Sequence, residues 1–133
     1  MTPDFLDVED VMDVHSYELE RFGGSDGVRD TTLLESAIAQ ASMTFDGVFL
    51  HSDLFHMAAA YLFHIVKNHP FIDGNKRTGV AAALLFLRFN GLELSESNSE
   101  RLYKATVDVV ANQTTKEALG DILRGLPWTA VQE

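Results

Sequence analysis

A nearly unbroken apolar run over residues 79–87 constrains the fold of this chain more than any other feature of its sequence. The run lies inside a longer helical segment, residues 74–90, which is expected to end at Gly91. A helix that is apolar on most of its sides must be surrounded by other elements. The sequence therefore predicts a central, buried helix with the rest of the domain packed around it.

Five amphipathic segments flank this helix, three before it and two after it, each with apolar residues at helical spacing. The polar residues expected to cap four of them are Asp7, Asp30, Ser52 or Asp53, and Thr114 in a capping box with Glu117. The first segment is expected to stop at Gly23 and Gly24, the third at Asn68, and the last at Gly125. The pattern predicts an all-α single domain of about six helices over residues 1–126.

Outside these helices, only a short strand at residues 92–94 is expected after the central helix. The fifth helix follows this strand over about residues 99–111. The C-terminal tail, residues 127–133, is expected to be loose, although Trp128 could dock on the surface or on a partner.

The composition excludes several classes of function. The chain has no cysteine, so disulfides, thiolate catalysis and cysteine-bound zinc are ruled out. Its formal net charge of −10 disfavours direct nucleic-acid binding, and no apolar stretch is long enough to span a membrane. The start of the chain does not resemble a signal peptide, so a soluble cytoplasmic protein is expected. The five histidines lack the spacing of a zinc site, and His15 is expected to be structural.

Residues 69–78, HPFIDGNKRT, concentrate polar chemistry between the third and fourth helices. Pro70 keeps His69 out of the preceding helix, and a histidine that titrates near neutral pH can act as a general base towards a hydroxyl. The segment then enters the central helix, whose free N–H groups and partial positive charge favour a phosphate. This arrangement predicts transfer of a phosphate-containing group, with a helix-terminal histidine bonded to nearby carbonyls as the alternative.

The residues between the histidine and the helix have distinct expected roles. Phe71 is expected to anchor the loop in the core, and Gly74 to allow a ligand to approach the backbone closely. Asp73 could cap the next helix or hold Mg²⁺ together with substrate phosphates. Asn75 could orient a phosphate oxygen or bond locally in the turn. The sequence leaves both of these pairs of alternatives open.

Lys76 and Arg77 stand in the first turn of the central helix, where the helix dipole disfavours cations. Two adjacent cations there need a compensating anion, and a nucleotide phosphate would supply it. Because the rest of the chain is so acidic, the pair indicates a local positive pocket rather than two solvated surface cations.

These residues resemble the signature of the Fic/Doc superfamily, whose Fic branch reads H-P-F-x-[DE]-G-N-G-R-x-x-R. The residues in register are His69, Pro70, Phe71, Asp73, Gly74, Asn75 and Arg77. Lys76 replaces a glycine of that pattern, and Val80 replaces its second arginine. Both departures resemble the death-on-curing (Doc) branch, H-x-F-x-[DN]-x-N-K-R-T, and the resemblance extends over roughly residues 5–125.

The resemblance implies a toxin of a type II toxin–antitoxin system that acts as a protein kinase. With Mg²⁺, it would transfer the γ-phosphate of ATP to a threonine of a translation factor, expected to be elongation factor Tu, and arrest protein synthesis. His69 would accept the hydroxyl proton, while Asp73 would help to hold Mg²⁺ and to orient His69. The residues implied to cradle phosphates are Gly74, Asn75, Lys76 and Arg77. Lys67 is a further candidate for a phosphate contact, with a solvated surface lysine as the alternative.

Two protein contacts are also implied by the resemblance. Residues 46–51 correspond to a short β-flap that docks the target peptide by strand addition in Fic-type proteins, with a plain connector as the alternative. The chain contains no complete inhibitory motif [ST]-x-x-x-E-[GN]. Inhibition is therefore expected from a separate antitoxin whose disordered tail folds into a groove on this domain.

Two rival functions remain at the level of sequence. A Fic-type AMP or nucleotidyl transferase would share His69 but should have a small residue at position 76 and an arginine at position 80. A catalytically inactive toxin that only helps its antitoxin as a corepressor predicts a broken motif, and here every expected Doc position is intact.

Overall fold

The apolar run of the sequence forms a helix at the centre of the molecule. The computed structural model describes residues 2–132, and these contain six α-helices. They are α1 (Val8–Phe22), α2 (Thr31–Ala39), α3 (Leu54–Asn68), α4 (Asn75–Phe89), α5 (Glu96–Val110) and α6 (Lys116–Arg124). Helix α4 packs against α1, α3 and α5, and its residues Val80, Ala82 and Phe86 are fully buried. The predicted all-α fold with a central buried helix is confirmed.

A short β-hairpin follows α2. Strand β1 (Thr44–Phe45) pairs with β2 (Val48–Phe49) in antiparallel register. The two turn residues, Asp46 and Gly47, both have positive φ, at 52° and 77°, as a type I′ turn requires. The hairpin confirms the expected short β-flap, and it begins two residues before the expected segment.

The end of the chain is folded back rather than loose. Strand β3 (Leu92–Glu93), close to the predicted strand at residues 92–94, pairs with β4 (Thr129–Ala130). The Trp128 indole Nε1 donates to the carbonyl oxygen of Leu123 at 2.6 Å, and its ring packs on Phe55. The expectation of a loose tail is wrong, because backbone pairing with β3 and the half-buried indole fix residues 128–130 in place.

Most helix ends follow the sequence signals. Asp7 and Asp30 cap α1 and α2, and of the two candidates for α3 the cap is Asp53, whose carboxylate accepts from the His56 N–H. The predicted capping box at Thr114 is wrong. The N-cap is Thr115, whose backbone is extended and whose hydroxyl accepts from Ala118 N at 3.0 Å. Helix α6 therefore begins one residue later than predicted.

The connection between α1 and α2, residues 23–30 and here called the α1–α2 loop, lies along the loop between α3 and α4. Val28 forms an isolated antiparallel bridge with Phe71, and Ile72 N donates to the Gly27 carbonyl at 3.0 Å. The segment that carries the motif is therefore held by a second backbone segment as well as by the helices on either side of it.

No helix in the described residues 2–132 combines the length and the apolar character needed to cross a membrane.

Candidate active site

His69 lies outside α3, at the position that caps its C-terminus. Its backbone is in the left-handed region, with φ 50° and ψ 54°, and its N–H donates to the Ile65 carbonyl at 3.1 Å. The prediction that α3 ends at Asn68, before Pro70, is confirmed. The side chain is exposed and faces a pocket. A left-handed backbone costs a non-glycine residue about 1–2 kcal/mol, so the surrounding structure must hold this conformation.

Phe71 and Asn75 hold the motif loop from inside. The Phe71 ring is fully buried and stacks on the imidazole of His15, with ring centroids 3.8 Å apart. The Asn75 side chain accepts from Phe71 N and donates to Phe71 O, both at 2.9 Å. Of the two interpretations of Asn75, the structure shows local bonding in the turn. This bonding uses the Oδ1 atom and one of the two N–H donors of the side-chain amide, so a contact between Asn75 and a phosphate oxygen stays a prediction.

The Asp73 carboxylate is bonded to backbone rather than to His69. Oδ1 accepts from the N–H of Gly74 at 2.8 Å, and Oδ2 accepts from the N–H of Ser25 at 3.1 Å. These two hydrogen bonds lower the pKa of Asp73 below its ordinary value. Neither hydrogen bond orients His69, so that part of the expectation is not supported. The carboxylate is exposed and ionised, and its remaining lone pairs can face a cation.

Helix α4 begins without a capping side chain. Its N-cap is Gly74, with φ 80° and ψ 16°, and this residue has no side chain to offer the first N–H groups. The interpretation of Asp73 as the N-cap is therefore wrong, since its carboxylate turns back to Gly74 and Ser25. An uncapped helix N-terminus facing a pocket suits an anion.

Three cations surround this helix end in different ways. Lys76 and Arg77 are exposed in the first turn of α4. The guanidinium carbon of Arg77 lies 4.4 Å from the centre of the Phe22 ring, a cation–π contact that limits its motion. Lys67, in the last turn of α3, donates through Nζ to Asn112 Oδ1, so it is tied to the segment after α5 rather than freely solvated.

These residues line one pocket of about 750 Å³, a size typical of small-molecule sites. All the predicted site residues except Phe71, which lies beneath it, contribute to its wall: Lys67, His69, Asp73, Gly74, Asn75, Lys76 and Arg77. The other wall is α5, whose contributions were missed by sequence reasoning: Tyr103, Thr106, Val107 and Val110. In the sequence only the apolar residues Val107 and Val110 could have indicated this wall, because both are exposed on the surface of α5. On an ordinary amphipathic helix this indication is weak.

A second concavity, here called the α1–α4–α5 groove, measures about 900 Å³. Its apolar floor includes Val14, Leu84 and Leu85. Carboxylates predominate over arginines among its charged residues, which are Asp10, Asp13, Glu18, Glu93, Glu96 and Glu100 against Arg21 and Arg88. Tyr103 lines both the groove and the motif pocket, so the two are adjacent.

The matched family model covers the elements that carry the motif. A model of the Fic/DOC family matches residues 5–87, which run from the N-terminal segment to the end of the apolar run in α4. The chain belongs to the Fic/DOC family. This membership confirms the resemblance inferred from the motif.

Two relatives align with most of the chain. A protein of Mycolicibacterium smegmatis named Toxin Doc is 44% identical over 92 residues, which span 69% of this chain and 68% of that protein. A protein of Escherichia phage P1 named Protein kinase doc is 33% identical over 124 residues, which span 92% of this chain and 94% of that protein. The longer alignment extends beyond the family match and so includes most of the chain after α4.

Proposed function

We propose that this chain is a Doc-like toxin that transfers the γ-phosphate of ATP to a threonine hydroxyl of a translation factor, with elongation factor Tu as the expected target. The observation that carries the proposal is the shared pocket: His69 stands beside the uncapped N-terminus of α4, with Lys76 and Arg77 in the same wall. The names of the two relatives, Toxin Doc and Protein kinase doc, support it.

In the proposed reaction the threonine oxygen attacks the γ-phosphorus. A new O–P bond forms, the bond from the γ-phosphorus to its bridging oxygen breaks, and ADP leaves with the electron pair. The His69 imidazole takes the proton of the hydroxyl. The N–H groups at the start of α4 and the cations of Lys76 and Arg77 stabilise the charge on the transferred group.

Asp73 is the residue that fits a divalent cation. Its carboxylate is ionised, exposed and oriented by two backbone N–H groups. Mg²⁺ is commonly held by one or two carboxylates together with substrate phosphates, and within residues 2–132 no cluster of three or more metal-binding side chains competes with this position. The ion would neutralise phosphate charge when bound.

Two residues favour phosphoryl transfer over AMP transfer. Lys76 occupies the position at which Fic enzymes have glycine, and it lines the motif pocket, where a glycine would leave more room. Val80, at the position of their second arginine, is fully buried in the core of α4. The pocket therefore has no cation at position 80 that could hold a nucleotide as the second arginine of Fic enzymes would, and this disfavours AMP transfer. Fic-type AMP transfer remains the alternative.

The α1–α4–α5 groove is the surface that we assign to an antitoxin. Its apolar floor and its excess of carboxylates suit an amphipathic segment with basic residues that folds on binding. An occupant of this groove would lie against Tyr103, at the border of the motif pocket, and could block or distort that pocket. The exposed Phe45 and Val48 of the hairpin, 71% and 68% accessible, suit the proposed docking of a target peptide.

Intact-mass spectrometry of elongation factor Tu, after incubation with this protein, ATP and Mg²⁺, tests the proposal. A gain of one phosphate, about 80 Da, supports it, and a gain of one AMP, about 329 Da, moves the function to the transferase alternative. His69→Ala should slow transfer by about 10²–10⁴-fold with the fold intact. His56→Gln, at the opposite end of α3, is the matched control and should keep full activity; equal loss in both variants contradicts a general base at His69.

A further inference from the structure

The α1–α2 loop holds the backbone of His69 through one side chain, that of Arg29. The guanidinium Nε donates to the carbonyl oxygen of His69 at 2.7 Å, and Nη2 donates to that of Asn68 at 2.9 Å. These are carbonyls at the C-terminus of α3, where a helix has no partners of its own and where its dipole favours a cation. Arg29 therefore caps α3 at the residue on which the proposed chemistry depends.

The backbone around Arg29 extends this hold to Pro70. Arg29 N donates to the Pro70 carbonyl at 2.7 Å, and Asp30 N donates to the same oxygen at 3.1 Å. Three consecutive carbonyls, those of residues 68–70, thus receive hydrogen bonds from residues 29 and 30. Such a set of contacts can hold a left-handed histidine before a proline, a conformation that is otherwise unfavourable.

The backbone next to Arg29 and the end of α3 are both tied to the start of α2. Asp30 caps α2, with its carboxylate Oδ1 accepting from Leu33 N at 2.9 Å. The Asn68 side chain donates to the Leu33 carbonyl at 3.0 Å, so the end of α3 is also tied to α2. The start of α2 therefore serves as a fixed point from which Arg29 reaches His69.

From these contacts we infer that Arg29 is a positioning residue for His69: its two side-chain hydrogen bonds keep the histidine backbone left-handed and so set the aim of the imidazole into the motif pocket. The catalytic consequence rests on the proposed function, whereas the effect on the backbone of His69 does not. Arg29 is exposed, so its contribution to global stability is small, and its removal should disturb the site more than the fold.

Two readouts test the inference on Arg29→Ala. NMR relaxation of the backbone amides at residues 69, 71 and 72 should show order parameters of about 0.85 in the parent and a fall towards about 0.6 at His69 in the variant. The kcat of phosphoryl transfer should fall by roughly 10–100-fold, the scale expected for a misplaced catalytic group, while the KM for ATP stays within about twofold.

Arg29→Lys and Arg124→Ala supply the comparisons. Arg29→Lys keeps the positive charge but loses the planar guanidinium. Its His69 order parameter and its kcat should therefore lie between those of Arg29→Ala and those of the parent. Arg124 binds Asp53 at the other end of α3, and Arg124→Ala should leave His69 ordered and kcat unchanged.

If the backbone order parameter of His69 is the same in Arg29→Ala as in the parent, the inference is overturned, whether or not the parent is active. Equal losses in Arg29→Ala and Arg124→Ala also overturn it, since they indicate a general effect on stability. A parent that is inactive on every target tested, with His69 disordered only in Arg29→Ala, supports the inference and counts against the proposed function instead.

Discussion

Gly24 in the α1–α2 loop contributes to the site because its missing side chain leaves room for the Asp73 carboxylate. Gly24 has φ +123°, and a Cβ placed on it would lie 2.7 Å from Oδ2 of Asp73. The same oxygen accepts from Ser25 N. Any side chain at position 24 would therefore push away the carboxylate proposed to hold Mg²⁺.

Gly24→Ala should lower phosphoryl transfer by about tenfold or more, because the Asp73 carboxylate is displaced. Gly23→Ala is the matched control: Gly23 also has positive φ, at +79°, but no atom lies within 4 Å of its added Cβ. Both variants should lose about 1–3 kcal/mol of stability to backbone strain, and only Gly24→Ala should require more Mg²⁺ for half-maximal rate. Steady-state assays over a magnesium series measure the difference, and identical magnesium dependence in the two variants would contradict it.

Between helices, the position of the site depends on how closely α4 approaches α3. Gly79 lies on α4 against α3, where an added Cβ would meet Val66 Cγ2 at 3.0 Å and the Leu62 carbonyl oxygen at 3.2 Å. A backbone carbonyl cannot rotate away as a side chain can. Gly79 therefore allows the two helices that flank the motif to pack at short range.

Gly79→Ala should destabilise the protein although alanine is the better helix former. The gain in helix propensity is about 1 kcal/mol, whereas overpacking against the α3 backbone costs about 1–3 kcal/mol. Urea unfolding measures the balance. Gly125→Ala is the control, because its added Cβ would meet only ordinary contacts at 3.6 Å and should be neutral or slightly stabilising. A Gly79→Ala variant more stable than the parent would disprove the close-packing argument.

Those elements with strong local signals could be predicted from the sequence. The apolar run in α4, the stop at Asn68 before Pro70 and the cap at Asp30 each follow from chemistry within a few residues. The sequence is ambiguous where either of two neighbouring residues could cap a helix. The cap of α4 is Gly74 and not Asp73, and the cap of α6 is Thr115 and not Thr114.

Long-range pairing was beyond sequence reasoning. Strand β4 forms by pairing with β3. The paired residues Glu93 and Thr129 are 36 positions apart in the chain. The α5 wall of the motif pocket and the Arg29 contacts with His69 likewise join segments that are distant in the chain. The motif could therefore be recognised from sequence, but the parts that position it could not.

Across the whole molecule, charge is distributed unevenly. The chain carries a formal net charge of −10, yet Lys76 and Arg77 stand together at the motif pocket, while carboxylates dominate the adjacent α1–α4–α5 groove. Opposite charges at neighbouring sites suit different partners, and they fit the two that we propose, an anionic nucleotide for the pocket and a basic peptide for the groove.

Acid sensitivity of the fold should arise at the contact between α3 and α6. His64 is partly buried, and its ring Nε2 lies 3.1 Å from Nζ of Lys116. Burial, together with the nearby charges of Lys116 and His51, lowers the pKa of His64 from 6.5 to about 4. The folded state therefore holds this imidazole neutral, as the acceptor of a hydrogen bond from the lysine, and resists its protonation.

Because the unfolded state binds this proton more readily, the free energy of unfolding should be constant above about pH 6.5 and should decrease as the pH falls towards 4. The expected total loss is about 2 kcal/mol, less than the full shift implies because solvent reaches part of the ring. Urea unfolding of the parent and of His64→Gln at about pH 7 and about pH 5 measures it. The difference between the two proteins isolates His64, because two other contributions are common to both. Burial lowers the pKa of His51, which adds to the acid sensitivity, and burial raises the pKa of Glu18, which opposes it. If His64→Gln lost as much stability as the parent between these pH values, the acid sensitivity would have to lie elsewhere in the molecule.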